Sequence, residues 1–311
     1  MSRSHRSLVL SFVVLSVVVA ITTFASASDL DRKLQDNYLH KIFVLRGFYP
    51  DSKLHYDSTG ALAGGMPGDW TTDGLVRIDE IRVSGDTLKI KAERLLVISS
   101  KQGLQIAGKD LLKKEKDAKK REVELDARVM SGDLTEDQAN AILSGIFLNS
   151  QDSFVDAVPE YWKPCIADGL SGKNSNCSLS SEMSEAPGMT NPSRGQASTA
   201  SAPSQGHDAG ATKARGVFRV GGGVKPPRAV YQPEPEFTEI ARKVKYQGVM
   251  TMALIVDENG LPQKISVQSP LGAGLDEKAL HAVESWKFQP AQKDGHPVPV
   301  AIAVEVDFHL Y

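Results

Sequence analysis

Val298-Pro299-Val300-Ala301-Ile302-Ala303-Val304-Glu305-Val306-Asp307-Phe308-His309-Leu310 places Val298, Val300, Ile302, Val304, Val306, Phe308 and Leu310 on alternate positions. A period of two with small or charged residues between predicts a half-buried strand. Upstream, Asp294-Gly295 reads as a turn, and Phe288-Gln289-Pro290-Ala291 ends a helix. That helix starts near Asp276, where a carboxylate suits the helix dipole, and carries Leu275, Ala279, Ala282 or Val283, and Trp286 at helical spacing. Before it, Val249 to Val256 and Lys264 to Gln268 read as two strands around Asp257-Glu258-Asn259-Gly260, in which Asn-Gly is a strong hairpin signal. Phe237 to Tyr246 reads as a short helix with Phe237, Ile240, Ala241 and Val244 on one face. The order α-β-β-α-β predicts an α+β domain, with two helices against one face of a three-stranded antiparallel sheet.

The rest of the chain divides by composition. Arg3 and Arg6 precede a nearly unbroken apolar run from Leu8 to Ala20, and Ala25-Ser26-Ala27 offers a small-x-small cleavage site. Residues 1–27 therefore read as an export signal, cut between Ala27 and Ser28. The second reading is an uncleaved anchor, since Leu8 to Ala25 sits at the short end of a membrane span. Residues 28–170 read as a β-rich module. Val76 and Ile78, then Ile81 and Val83, suggest strands, and Leu88, Ile90, Ala92, Leu96 and Ile98 suggest another. Val123, Leu125, Ala127 and Val129 alternate with charges. Thr135-Glu136-Asp137-Gln138 is a capping-box pattern opening a helix with Ala139, Ile142, Leu143, Ile146 and Phe147 on one face. Residues 171–216 hold no aromatic residue, Val or Ile and are rich in Ser, Gly, Ala and Pro, so they read as a disordered linker. The last unit is 217–311.

Composition narrows the function. With 41% hydrophobic and 24% charged residues the chain is globular, and a net charge of -2 argues against nucleic acid as a partner. The two cysteines, Cys165 and Cys177, exclude a four-thiolate zinc site. In an exported compartment they pair as a disulfide, and two free thiols are the alternative. Asp57, Asp69, Asp73 and Asp79 lack the spacing of a calcium loop and read as turn caps. His40 and His55 have no second ligand at helical spacing and read as surface residues. The run Lys113 to Glu122 reads as a solvated helix or loop. Gly221-Gly222-Gly223 precedes Pro226 and Pro227, which favour an extended chain over a phosphate-binding helix start. No enzyme signature, metal site or cofactor site emerges.

From Pro235 onward the residues resemble the C-terminal domain of TonB-family proteins. The matching pieces are Pro235-Glu236-Phe237, Gln247-Gly248-Val249, the turn Val256 to Gly260, Gly274-Leu275-Asp276-Glu277-Lys278-Ala279, Trp286-Lys287-Phe288-Gln289-Pro290-Ala291 and Gly295-His296-Pro297-Val298. The resemblance implies a periplasmic binding module that takes an extended segment of an outer-membrane transporter, or of another envelope protein, as an added strand. The strand it points to comprises Val298, Val300, Ala301, Ile302, Ala303, Val304, Glu305 and Val306. A homodimer through the same edge is a further reading. Three departures separate this chain from the family's force-transmitting members. The apolar segment contains no His, residues 171–216 hold only Pro187, Pro192 and Pro203 where those members have a Pro-rich rod, and a folded module precedes the linker. An inner-membrane anchored transducer facing the periplasm is the alternative that the uncleaved reading carries.

Overall fold

The computed structural model describes residues 29–64, 74–114, 121–130, 132–189 and 216–310. The export-signal reading, the Ala27–Ser28 junction, Asp69, Asp73 and the greater part of the expected linker fall outside these residues. Among the described residues no helix is long and apolar enough to cross a membrane.

The chain opens with α1 over residues 29–38. A five-stranded sheet follows, in the order β1-β3-β4-β7-β2. Its strands are β1 Ile42–Val44, β2 Lys53–Tyr56, β3 Leu75–Ser84, β4 Thr87–Arg94 and β7 Glu122–Arg128. Between β4 and β7 lie β5 Val97–Ser100, β6 Gly103–Ile106 and the single-turn α2 Lys109–Leu112. The alternation in β7 is clean: Val123, Leu125 and Ala127 point into the core while Glu122, Glu124 and Arg128 stay out. Helix α3, Glu136–Ile146, starts where the capping-box pattern placed it, since the Thr135 side chain accepts from Gln138 N–H while the Gln138 side chain accepts from Thr135 N–H. It buries Ala139, Ile142, Leu143 and Ile146 against the sheet, in one apolar cluster with Ile78, Leu88 and Leu125.

The expected strand through Leu88, Ile90, Ala92, Leu96 and Ile98 is broken in two. Leu95, Leu96 and Val97 are consecutive and all buried, which no single strand face accommodates. At this point the chain leaves the five-stranded sheet, and β5 and β6 form a separate hairpin. Leu95, Leu96 and Val97 belong to a second apolar cluster, which they share with the C-terminal domain.

The linker reading is corrected for residues 171–189. After α4 Phe154–Ala157 and α5 Lys163–Leu170, the chain makes a 3-10 turn at Ser175–Cys177 and a further short helix, α6 Ser181–Ser184. Cys165 in α5 and Cys177 in the 3-10 turn form a disulfide, with Cα atoms 5.4 Å apart. Cys177, Met183, Ala186 and Met189 are buried. The segment is poor in aromatic and β-branched residues, yet it folds because the disulfide and two methionines supply the apolar contacts that composition lacked.

The C-terminal domain has the predicted core order: α7 Glu239–Val244, β11 Gly248–Val256, β12 Pro262–Ser269, α8 Leu275–Glu284 and β16 Val300–Phe308. Short strands add to it. Before α7 come β8 Phe218–Arg219, β9 Val224–Lys225 and β10 Arg228–Tyr231. Between α8 and β16 come β13 Lys287–Gln289, β14 Ala291–Lys293 and β15 His296–Val298. The main sheet runs β12-β11-β16-β8. Strands β10 and β13 pair with each other, and β15, β14 and β9 form a third small sheet.

The Cys165–Cys177 bridge closes a loop of 12 residues' separation, for which chain entropy predicts about 3 kcal/mol of stabilisation. Replacing both cysteines with serine should lower the unfolding free energy of the chain by about that amount, measured by urea denaturation with and without reductant. Reductant should destabilise the native protein and leave the double variant unchanged.

Candidate functional site

The candidate site is one edge of the main sheet. Strand β11 lies at its centre, with Met250, Met252, Leu254 and Val256 turned toward the helices and buried. It pairs with β16 along its whole length, from Gly248 opposite Phe308 to Val256 opposite Val300. In β16 the buried positions are Val300, Val306 and Phe308, with Ile302 and Val304 half-buried on the same face. Ala301, Ala303, Glu305 and Asp307 alternate with them and are exposed. Phe237 meets Phe308 edge-on at 5.4 Å between ring centres, and the Trp286 indole N–H donates to Pro233 O at 3.2 Å. The aromatic residues of the family-like block therefore serve as packing under the sheet.

The two edges of this sheet have different fates. On the β12 side, Val267 N–H donates to Tyr161 O at 2.9 Å, and the Asn174 side-chain amide donates to Gln268 O at 2.8 Å. Tyr161 and the disulfide-bonded segment of the first module thus cover the Val267–Gln268 end of that edge. On the β16 side, β8 runs parallel to the strand and pairs only with Val300 and Ala301. Among the described residues, no strand pairs with Ile302 to Phe308 on that side.

One hydrogen bond fixes which backbone groups face outward. Phe218 N–H donates to Pro299 O at 2.8 Å, so Pro299 points its carbonyl at the free side. Backbone groups of successive strand residues alternate between the two flanks. Ala301, Ala303, Glu305 and Asp307 therefore turn N–H and C=O away from β11, Ala301 toward β8 and the other three toward the free side, while Val300, Ile302, Val304 and Val306 turn theirs to β11. The expected edge of eight residues is corrected at one end, where β8 already pairs with Val300 and Ala301. Val298 belongs to β15, where it pairs with Ala291, because Pro299 lacks the N–H needed to continue the β16 ladder.

The seam with the first module holds the base of the sheet. Ser99 N–H donates to Leu271 O at 2.8 Å, and Ala273 N–H donates to Val97 O at 2.7 Å. The Tyr246 hydroxyl donates to Leu271 O at 2.9 Å, and burial pushes its pKa up to about 12. Gly272 sits between these bonds with φ of 89°, and a Cβ there would lie 2.5 Å from Val97 O. Asp276, fully buried in the first turn of α8, accepts from Leu271 N–H and Gly272 N–H, both at 2.7 Å. Burial pushes its carboxyl up to about 6, against the pull of these backbone hydrogen bonds.

The other candidate groups do not converge on a site. Asp57 caps its own turn, accepting from Thr59 N–H at 2.8 Å and Ala61 N–H at 3.1 Å, and these bonds with the Thr59 hydroxyl hold its carboxyl below the usual range. Asp79 lies 3.8 Å from Arg77. The His55 ring nitrogen is 2.7 Å from Asp126 on an exposed part of the first sheet. His40 takes the left-handed conformation just after α1. Among the described residues, no group of three or more His, Cys, Asp or Glu is placed to hold a metal.

Residues 233–310 match the family model described as Gram-negative bacterial TonB protein C-terminal. Over this stretch the chain is similar to that family. Protein TonB of Vibrio cholerae is 34% identical over 87 residues, which is 28% of this chain and 36% of that protein. Protein tonB2 of Pseudomonas aeruginosa is 31% identical over 82 residues, or 26% of this chain and 30% of that one. The chain thus spans about a third of the length of the curated relatives it matches. The solution NMR structure of the Pseudomonas aeruginosa TonB CTD is 16% identical, covers 29% of this chain and 90% of its own, and superposes with a TM-score of 0.24. Strands β8, β9 and β10 lie upstream of the family-matched residues.

Replacing Asp276 with alanine strands two buried N–H groups and should cost about 2–4 kcal/mol of stability, read from denaturant melts. Replacing it with asparagine tests the protonation. The raised pKa means that the folded chain keeps a proton which the unfolded chain releases. Stability from this group is full below the unfolded value of 3.8 and is lost as pH rises through about 6. The native protein should therefore lose stability relative to Asp276→Asn between those pH values.

Proposed function

We propose that the C-terminal domain binds an extended segment of an outer-membrane transporter by adding it as a strand to β16. The whole chain is then a TonB-like protein of the cell envelope that supports transport across the outer membrane. The observation that carries this reading is the asymmetry of the sheet. The β12 edge is bonded to the first module at Val267 and Gln268, whereas β16 turns the backbone groups of Ala303, Glu305 and Asp307 to a side where no strand pairs among the described residues. Unpaired strand edges accept extended chains, and backbone pairing supplies the affinity. The family match covers β16 and the helices beneath it. A periplasmic location accords with the apolar N-terminal run read as an export signal, and with the Cys165–Cys177 disulfide, which persists in oxidising compartments. On this reading the domain acts as a binding module, and the packed Trp286, Phe288 and Leu275 support it from below.

Ala303 is the position at which to block the edge, because its N–H faces outward and its side chain touches no core residue. Ile302, nearer the middle of the apolar pattern, spends its N–H on β11. Proline at 303 should weaken binding of a transporter-derived extended peptide at least tenfold while the thermal unfolding midpoint stays close to native. Titration calorimetry with the full chain measures this, and a peptide N-methylated at alternate residues should lose binding to the native protein. Unchanged affinity for both in a folded Ala303→Pro variant sinks strand addition at this edge.

A further inference from the structure

The free part of β16 has a defined end and a defined charge. Strand β8 runs beside Val300 and Ala301 and goes no further. Its path stops because Gly221, Gly222 and Gly223 all take positive φ, at 107°, 57° and 87°, a run of backbone that residues with side chains rarely adopt. Gly221 and Val224 bond to each other across that turn. The chain is led off the sheet into β9, which pairs with β14. From β14, the Lys293 ammonium lies 4.6 Å from the centre of the Phe218 ring and holds β8 in place. What is left is the seven residues Ile302 to Phe308, roughly 23 Å of strand.

The two faces of that strip differ. On the core side, Ile302 and Val304 are half-buried at the rim, with apolar surface that an added strand would cover. On the open side the strip carries Ala303, Glu305 and Asp307. Their neighbours across β11 are Ala253, Thr251 and Val249, which bring no charge. Neither Glu305 nor Asp307 forms an ion pair among the described residues. Arg219 of β8 lies beside Ala301, at the far end of the edge.

We propose that the segment added to β16 is a short alternating peptide, apolar on the side that covers Ile302 and Val304 and carrying lysine or arginine on the side that faces Glu305 and Asp307. The inference rests on strand addition at β16. Cross-strand neighbours on one face of a sheet have Cβ atoms only about 5 Å apart, so opposite charges there attract and like charges repel. An acidic side chain in the added strand would meet two uncompensated carboxylates, and a basic one would neutralise them.

The test uses the full chain and two seven-residue peptides, one alternating valine with lysine and one alternating valine with glutamate. Strict alternation makes the outcome independent of strand direction. The lysine peptide should bind roughly tenfold or more tightly than the glutamate peptide, and a Glu305→Lys, Asp307→Lys double variant should reverse the order. Equal binding of both peptides, lost in Ala303→Pro, overturns the charge preference and leaves strand addition standing. A preference for lysine that persists in the double variant also overturns it, because the selecting charge then lies elsewhere. Binding of neither peptide, or binding that survives in folded Ala303→Pro, removes strand addition at β16 and this inference with it.

Discussion

A flat sheet has two edges, and each edge is a row of backbone donors and acceptors that must find partners or face water. The C-terminal sheet answers the requirement differently on its two sides. Tyr161 accepts from Val267 N–H and Asn174 donates to Gln268 O, so the protein itself covers that end of β12. β8 takes only the first two residues of β16. The open remainder of β16 is the feature on which the proposed binding depends.

Closing β12 requires the two halves of the chain to be packed together. Leu95, Leu96 and Val97 carry the chain out of the first sheet and into the core beneath β11 and α8. Tyr246 and the Asp276-held loop at Leu271 and Gly272 bond to β5 from the other side. Trp162 is fully buried, and its indole N–H reaches Glu277 of α8. The first module is thus packed as one structure with the C-terminal domain, in contrast to the picture of a head on a long tether from residue 171 onward.

Strong periodicity was legible from sequence. The alternation of β16, the Asn-Gly turn after β11, the capping box at Thr135 and the Leu275 to Val283 helix face all appear where their spacing placed them. Short elements held by distant partners were not. Strands β8, β9 and β10 are two to four residues long, and each gains its register from a strand roughly 60 to 80 residues further on. Residues 171–189 looked like linker because their order comes from a disulfide and from docking on β12, neither of which leaves a local pattern. The apolar alternation of the last strand continues through Val298, while Pro299 interrupts the backbone ladder, which the side-chain pattern does not report.

The α+β character of the last domain, the faces of its strands and the family likeness of residues 233–310 follow from local side-chain spacing and from motifs contiguous in the chain. Which part of an edge is free, how long it is and which residues offer their backbone there emerge when the strands are assembled. Those are properties of strand neighbours, and the neighbours of β12 and β16 come from Tyr161, Asn174 and Phe218, far away along the chain.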